Sequence, residues 1–130
     1  MSAVVDSSVL VAALVDTGSD GNWAEEIVAG GALHAPELAR AETANILRRL
    51  ELANRITASV AEAAYGDLLA LALDTYPFDP FADRIWTLRR TVTAYDAWYV
   101  ALAEALDVPL ATLDGRLRRA SGTRCRFLAP

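Results

Sequence analysis

Short apolar runs alternate with longer stretches of helical spacing along the chain. The run "AVV" (3–5), closed by Asp6-Ser7-Ser8, predicts a buried strand feeding a helix. "DTGSDGN" (16–22) is rich in turn formers and predicts a loop. A helix over Trp23–Ala29 ends at Gly30-Gly31, and "ALHAP" (32–36) predicts a second strand before the first turn of a helix over 37–54. Helical spacing returns over 57–73, "TYPFD" (75–79) is strand-like, and 81–90 is helical. "TAYDAWYVALAEAL" (93–106) predicts a helix buried on almost every side, with charges only at Asp96 and Glu104. "VPLATL" (108–113) predicts a strand, "DGRLRRAS" (114–121) a short helix and "CRFL" (125–128) a final strand. Alternating strands and helices with short connections predict an α/β fold, a three-layer sandwich with a central parallel sheet and helices on both faces.

The 130 residues suit one domain, 1–130, with a sizeable core. The hydrophobic fraction of 54% hints that a partner covers some apolar surface. The single Cys125 can form no internal disulfide, which points to a reducing cytosol. The apolar N-terminal stretch has no basic lead-in, is cut by Asp6 and falls far short of the roughly 20 apolar residues a membrane span needs. A soluble cytoplasmic protein is expected. Net charge of −5 alone argues against a nucleic-acid partner. The total hides an asymmetry: residues 1–83 hold 4 Arg against 13 acids, whereas residues 84–130 hold 8 Arg against 4 acids.

Sites in open parallel sheets form beyond the carboxyl ends of the strands. Asp6 follows the first strand directly and Asp114 follows the strand ending in "ATL"; Asp96 falls in the first turn of its helix. At about 100° per residue, Glu42 shares a helix stripe with Leu38, Ile46 and Ala53 and so faces inward, with Asn45 and Arg49 on the same stripe and Arg40, Arg48 and Glu51 opposite. Converging carboxylates repel one another unless protons or metal ions neutralise them, and hard oxygen ligands suit Mg²⁺ or Mn²⁺. Each acid also has a purely structural reading. Asp6 and Asp114 fit as helix N-caps, Thr93 and Asp96 resemble a capping box, and Glu42 could pair with Arg49. Capping and ligation are compatible, and the functional reading rests on all four acids together. His34 and Cys125 read as packing residues, and Trp23, Trp86 and Trp98 as core anchors.

No Lys occurs anywhere in the chain, which excludes receiver-domain and haloacid-dehalogenase-type phosphatase chemistry; no G-x-x-x-x-G-K run is present for a Walker site. "VVDSSVLVAAL", "ELARAETANILRRL", "TAYDAWYVALAEAL" and "PLATLDGRLRRA", in that order, resemble the PIN-domain ribonucleases and especially the VapC toxins of prokaryotic toxin–antitoxin pairs. By that resemblance Asp6, Glu42, Asp96 and Asp114 match the family's four acids, Thr112 its hydroxyl two residues before the last acid, and Ser8 a small polar position two after the first. The resemblance implies Mg²⁺- or Mn²⁺-dependent RNA cleavage by water attack on a phosphodiester, a cognate antitoxin and a homodimer. Asp6 and Asp96 are then expected to hold the principal metal directly, and Glu42 and Asp114 to act through waters or a second ion. Thr112 and Ser8 would support that shell by hydrogen bonds. Arg89, Arg90, Arg116, Arg118 and Arg119 are candidate RNA phosphate contacts. The rival expectation is a PIN-like module that binds RNA or protein without cutting.

Overall fold

Three consecutive buried residues make up β1 (Ala3–Val5), an unbroken apolar run of the kind that a strand covered on both faces requires. In the computed structural model, which describes all 130 residues, β1 is the centre of a five-stranded parallel sheet. It pairs with β2 (Leu33–Pro36) on one side and β4 (Leu110–Ala111) on the other. β3 (Leu73–Tyr76) and β5 (Phe127–Leu128) form the edges, giving the order β3-β2-β1-β4-β5.

Helices α1 (Ser7–Val15) and α2 (Ser19–Ala29) connect β1 to β2, and α3 (Ala39–Leu52) and α4 (Ala58–Ala70) connect β2 to β3. A 3₁₀ turn (Asp79–Phe81), α5 (Ala82–Thr87) and α6 (Ala94–Leu106) lead back to β4, and α7 (Gly115–Arg118) leads to β5. The chain thus advances one way from β1 to β3 and the other way from β4 to β5. Right-handed crossovers place the two sets of helices on opposite faces. The packing agrees: α1 touches α2, α3 and α4, whereas α5 lies on α6 and α6 crosses β1, β2 and β4. This is the α/β sandwich that the strand–helix alternation predicts. The direction reverses between β1 and β4, so the crevice of the sheet opens at their carboxyl ends.

The central helix is α6. Residues Ala97–Ala103 are all buried, and it ends at Asp107, whose φ of 52° is left-handed, a conformation that Asp tolerates better than most residues. No helix is long and apolar enough to cross a membrane.

Several boundaries differ from the pattern-based expectation. α2 begins at Ser19 rather than Trp23, because the glycine that reads as a turn signal serves a close approach. A Cβ on Gly21 would sit 1.9 Å from the Asp16 carbonyl oxygen. The helix expected over 57–73 stops at Ala70, and Leu73 already pairs with Leu33, so β3 runs over 73–76 and ends before Pro77, which has no N–H for the ladder. The strands expected over 108–113 and 125–128 shrink to two residues each. The helices expected over 37–54 and 81–90 are shorter at both ends.

Two face assignments also change. The buried face of α3 carries Ala39, Thr43 and Leu47, not Leu38, Ile46 and Ala53. Glu42 therefore lies at the margin of that face, half-buried; Asn45 and Arg49 are exposed, and Arg40 turns inward to donate to the Leu68 and Leu71 carbonyls. Trp86 is not a core anchor. It is 67% exposed, with the Arg89 guanidinium 4.6 Å from its ring centroid. Trp98 is buried, its ring near-perpendicular to that of Phe78 with centroids 5.4 Å apart, and Trp23 is half-buried.

Candidate active site

Asp6 leaves β1 and caps α1 in extended backbone. Its Oδ1 accepts from the Ser8 hydroxyl at 2.5 Å and the Val9 N–H at 3.2 Å, and its Oδ2 accepts from the Thr112 hydroxyl. Each of those hydroxyls is itself anchored: Ser8 Oγ accepts across the crevice from Leu113 N–H at 3.1 Å, and Thr112 Oγ1 accepts locally from Asp114 N–H at 3.0 Å. The ends of β1 and β4 are thereby laced together by a network in which every hydroxyl both donates and accepts. Asp114 caps α7, its Oδ1 accepting from the N–H groups of Arg116 and Leu117.

Glu42 and Asp96 come from opposite faces of the sheet. Asp96 stands in the first turn of α6, its N–H held by the Thr93 hydroxyl at 3.2 Å. Glu42 stands in the first turn of α3, and its Oε1 accepts from the Tyr99 hydroxyl at 2.6 Å. Tyr99 is a site residue that sequence reasoning missed; its signal was its position one helical turn after Asp96.

The acids bear on one another. Burial, first, and then the Asp96 charge raise the Asp6 carboxyl above its ordinary range, against the hydrogen bonds from Ser8, Thr112 and Val9. Glu42 is raised by burial and by the Asp96 and Asp6 charges, and Asp96 by burial and the Asp114 charge. The three ion pairs of the structure lie elsewhere, so no Arg neutralises this hollow. Asp96 and Asp114 also line a cleft of about 240 Å³ with Arg116. Arg90, Arg116, Arg118 and Arg119 are exposed. Arg118 and Arg119 lie over Gly115, whereas Arg89 is engaged with Trp86 through its ring and its carbonyl.

No three Asp, Glu, His or Cys side chains stand close enough to form a ready metal cluster. A cage of direct ligands is therefore absent. A set of mutually repelling carboxylates without a basic partner does fit a hard divalent cation that keeps part of its water shell.

The PIN-domain family matches residues 3–122. Among individual proteins, ribonuclease VapC1 of Mycobacterium tuberculosis is 42% identical over 125 residues, 95% of this chain and 94% of that protein. Ribonuclease VapC9 of the same organism is 40% identical over 122 residues, 94% and 93% of the two chains. The chain belongs to the PIN-domain family. Within it, the chain groups with the VapC ribonucleases, and PIN-domain ribonucleases in general depend on a divalent metal ion. Solved PIN folds superpose closely. PAE2754 from Pyrobaculum aerophilum gives a TM-score of 0.71 at 21% identity, covering 98% of this chain and 83% of that one. VapC20 from Mycobacterium tuberculosis, a toxin that cleaves the sarcin–ricin loop, gives 0.68 at 18% identity, covering 94% and 96%. At those identities the likeness speaks for the fold.

Proposed function

We propose that this PIN-domain protein is the endoribonuclease toxin of a toxin–antitoxin pair, acting in the cytoplasm as a homodimer with Mg²⁺, for which Mn²⁺ substitutes. What supports the reading is that the Asp96 charge raises the proton affinity of both Asp6 and Glu42, that Asp6 also raises Glu42, and that none of the three is paired with a base. Asp6 and Asp96 would hold the principal cation, with Glu42 and Asp114 acting through retained water or at a second ion. When bound, the cation offsets the negative charge of the hollow and polarises the phosphoryl group.

The chain's own groups do the rest. Ser8 and the Val9 N–H occupy both lone pairs of Asp6 Oδ1 and Thr112 one lone pair of Oδ2, which leaves the second lone pair of Oδ2 as the one available to a cation. Glu42 Oε2, which no protein group occupies, is available to orient the attacking water. Attack at phosphorus breaks the bond to the 3′ oxygen and leaves a 5′-phosphate and a 3′-hydroxyl. Arg116, which lines the cleft with Asp96 and Asp114, would contact a neighbouring phosphate, and the exposed Arg90, Arg118 and Arg119 would add further contacts.

One observation favours the second reading, a PIN-like module that binds RNA or protein without cutting: the acids do not form a ready metal cluster. Incubation of total RNA with Mg²⁺, with EDTA, and with EDTA followed by excess Mg²⁺ separates the two. Cleavage that vanishes with EDTA and returns with Mg²⁺ supports the nuclease. Retention of RNA under all three conditions without new 5′ ends refutes it.

A further inference from the structure

One turn after Asp96, α6 brings a second group to the hollow. Tyr99 is 2% exposed, its ring belongs to the hydrophobic core, and its hydroxyl lies 2.6 Å from Glu42 Oε1. A phenol has one O–H and donates to one acceptor, and a buried ring has little freedom to follow that acceptor if it swings. Glu42, by contrast, sits half-buried on three side-chain torsions, and holding it in one rotamer is entropically costly without a partner. The bond occupies Oε1 and leaves Oε2 without a protein partner, on a carboxylate that already feels the Asp96 and Asp6 charges.

We infer that Tyr99 is a positioning residue: its hydroxyl holds Glu42 in a single orientation toward Asp6 and Asp96 and thereby sets the affinity of the hollow for a divalent cation. This rests on the metal-dependent reading above. A purely structural bond that ties α3 to α6 is the competing account, and the two differ in what they do to metal binding.

The test is calorimetric titration of Mn²⁺ into the wild type, Tyr99→Phe, Glu42→Gln and the double variant, with melting temperatures measured alongside. Tyr99→Phe is expected to weaken Mn²⁺ binding about 10-fold, the low end for loss of a group that orients a ligand, and to add less than about twofold in the Glu42→Gln background. Mn²⁺ affinity within about twofold of wild type in Tyr99→Phe, or an equal loss in both backgrounds, overturns the inference. A wild type that binds no Mn²⁺ sinks the metal-dependent reading itself, which keeps the two failures distinct. If Tyr99→Phe does not fold, carbon-13 NMR of the wild type serves instead. Added Mg²⁺ should move the Glu42 Cδ and Tyr99 Cζ signals along one saturation curve, and a Tyr99 signal that stays put overturns the inference.

Discussion

Asp96→Asn is expected to stabilise the metal-free protein while abolishing RNA cleavage. The substitution keeps the shape of the side chain, and the bond from the residue 96 N–H to Thr93 survives because it uses the backbone. What it removes is a negative charge that bears on Asp6 and Glu42 and is itself opposed by Asp114. Two like charges about 8 Å apart repel by about 2 kcal/mol at an effective dielectric of about 20. Asp96 is only half-buried, so screening removes much of that, and a charge favourable to the helix N-terminus is lost as well, worth about 0.5 kcal/mol. The net gain is about 1 kcal/mol, or a rise in melting temperature of about 3–5 °C for a chain of this size. Scanning calorimetry in EDTA at low ionic strength reads it, and high salt should shrink it. Added Mg²⁺ should then raise the melting temperature of the wild type and not of the variant, since only a protein that binds the ion is stabilised by it. A metal-free variant that melts below wild type at low salt, or Mg²⁺-dependent cleavage retained in a nuclease-free preparation, would refute the reasoning.

Because the folded-state carboxyls of Asp6, Glu42 and Asp96 are raised, their contribution to stability is fully present below the unfolded carboxylate range and is lost as pH rises through the folded values. Melting temperature in EDTA should therefore climb as pH is lowered from neutral toward that range, and saturating Mg²⁺ should flatten the slope. Glu104 is shifted the other way, chiefly by Arg84 against its own burial, so its contribution disappears only at lower pH. Glu104→Gln weakens the paired bonds from Arg84 at 2.7 and 3.1 Å and the one from Arg124 N–H at 2.6 Å; a loss of about 1–2 kcal/mol is expected by denaturant titration, with cleavage per folded molecule unchanged. Thr112→Val strips Asp6 of a donor and Asp114 N–H of its acceptor, and should cost about 1–3 kcal/mol as well as metal affinity, read by melting and Mn²⁺ titration. Arg116→Ala should raise KM with little change in kcat and lower the slope of log affinity against log salt by about 1.

Much of the fold was legible because strand and helix periods alternate cleanly and because "AVV" and the stretch over 93–106 are apolar without relief. The boundaries were less so. Nothing in "DTGSDGN" distinguishes a glycine that turns the chain from Gly21, whose backbone passes so near Asp16 that a Cβ would sit 1.9 Å from its carbonyl oxygen. Asp6 was placed by pattern alone, since a residue directly after a strand in an open parallel sheet stands at the crevice, whereas Asp114, expected directly after its strand, stands three residues beyond the end of β4 as the cap of α7. Glu42 was harder. Its stripe on α3 is displaced from the face the helix buries, and that displacement puts its carboxylate at the border of core and solvent. Tyr99 was hidden for the opposite reason: inside a helix buried all round, an aromatic residue reads as packing, and only the position of α3 shows that its hydroxyl has an acceptor 57 residues away. Trp86 misled in the same way, because the exposed side of α5 cannot be told from the buried one in six residues.

The central claim is that carboxylates from β1, α3 and α6 share one divalent cation. Anomalous diffraction from crystals soaked in Mn²⁺, collected at the manganese edge, tests it most directly. The account predicts a peak in the hollow bounded by Asp6, Glu42 and Asp96, and its absence from Asp96→Asn crystals soaked alongside. A hollow without anomalous signal in crystals of a protein that still cleaves RNA, or a peak bound by other residues, would contradict it.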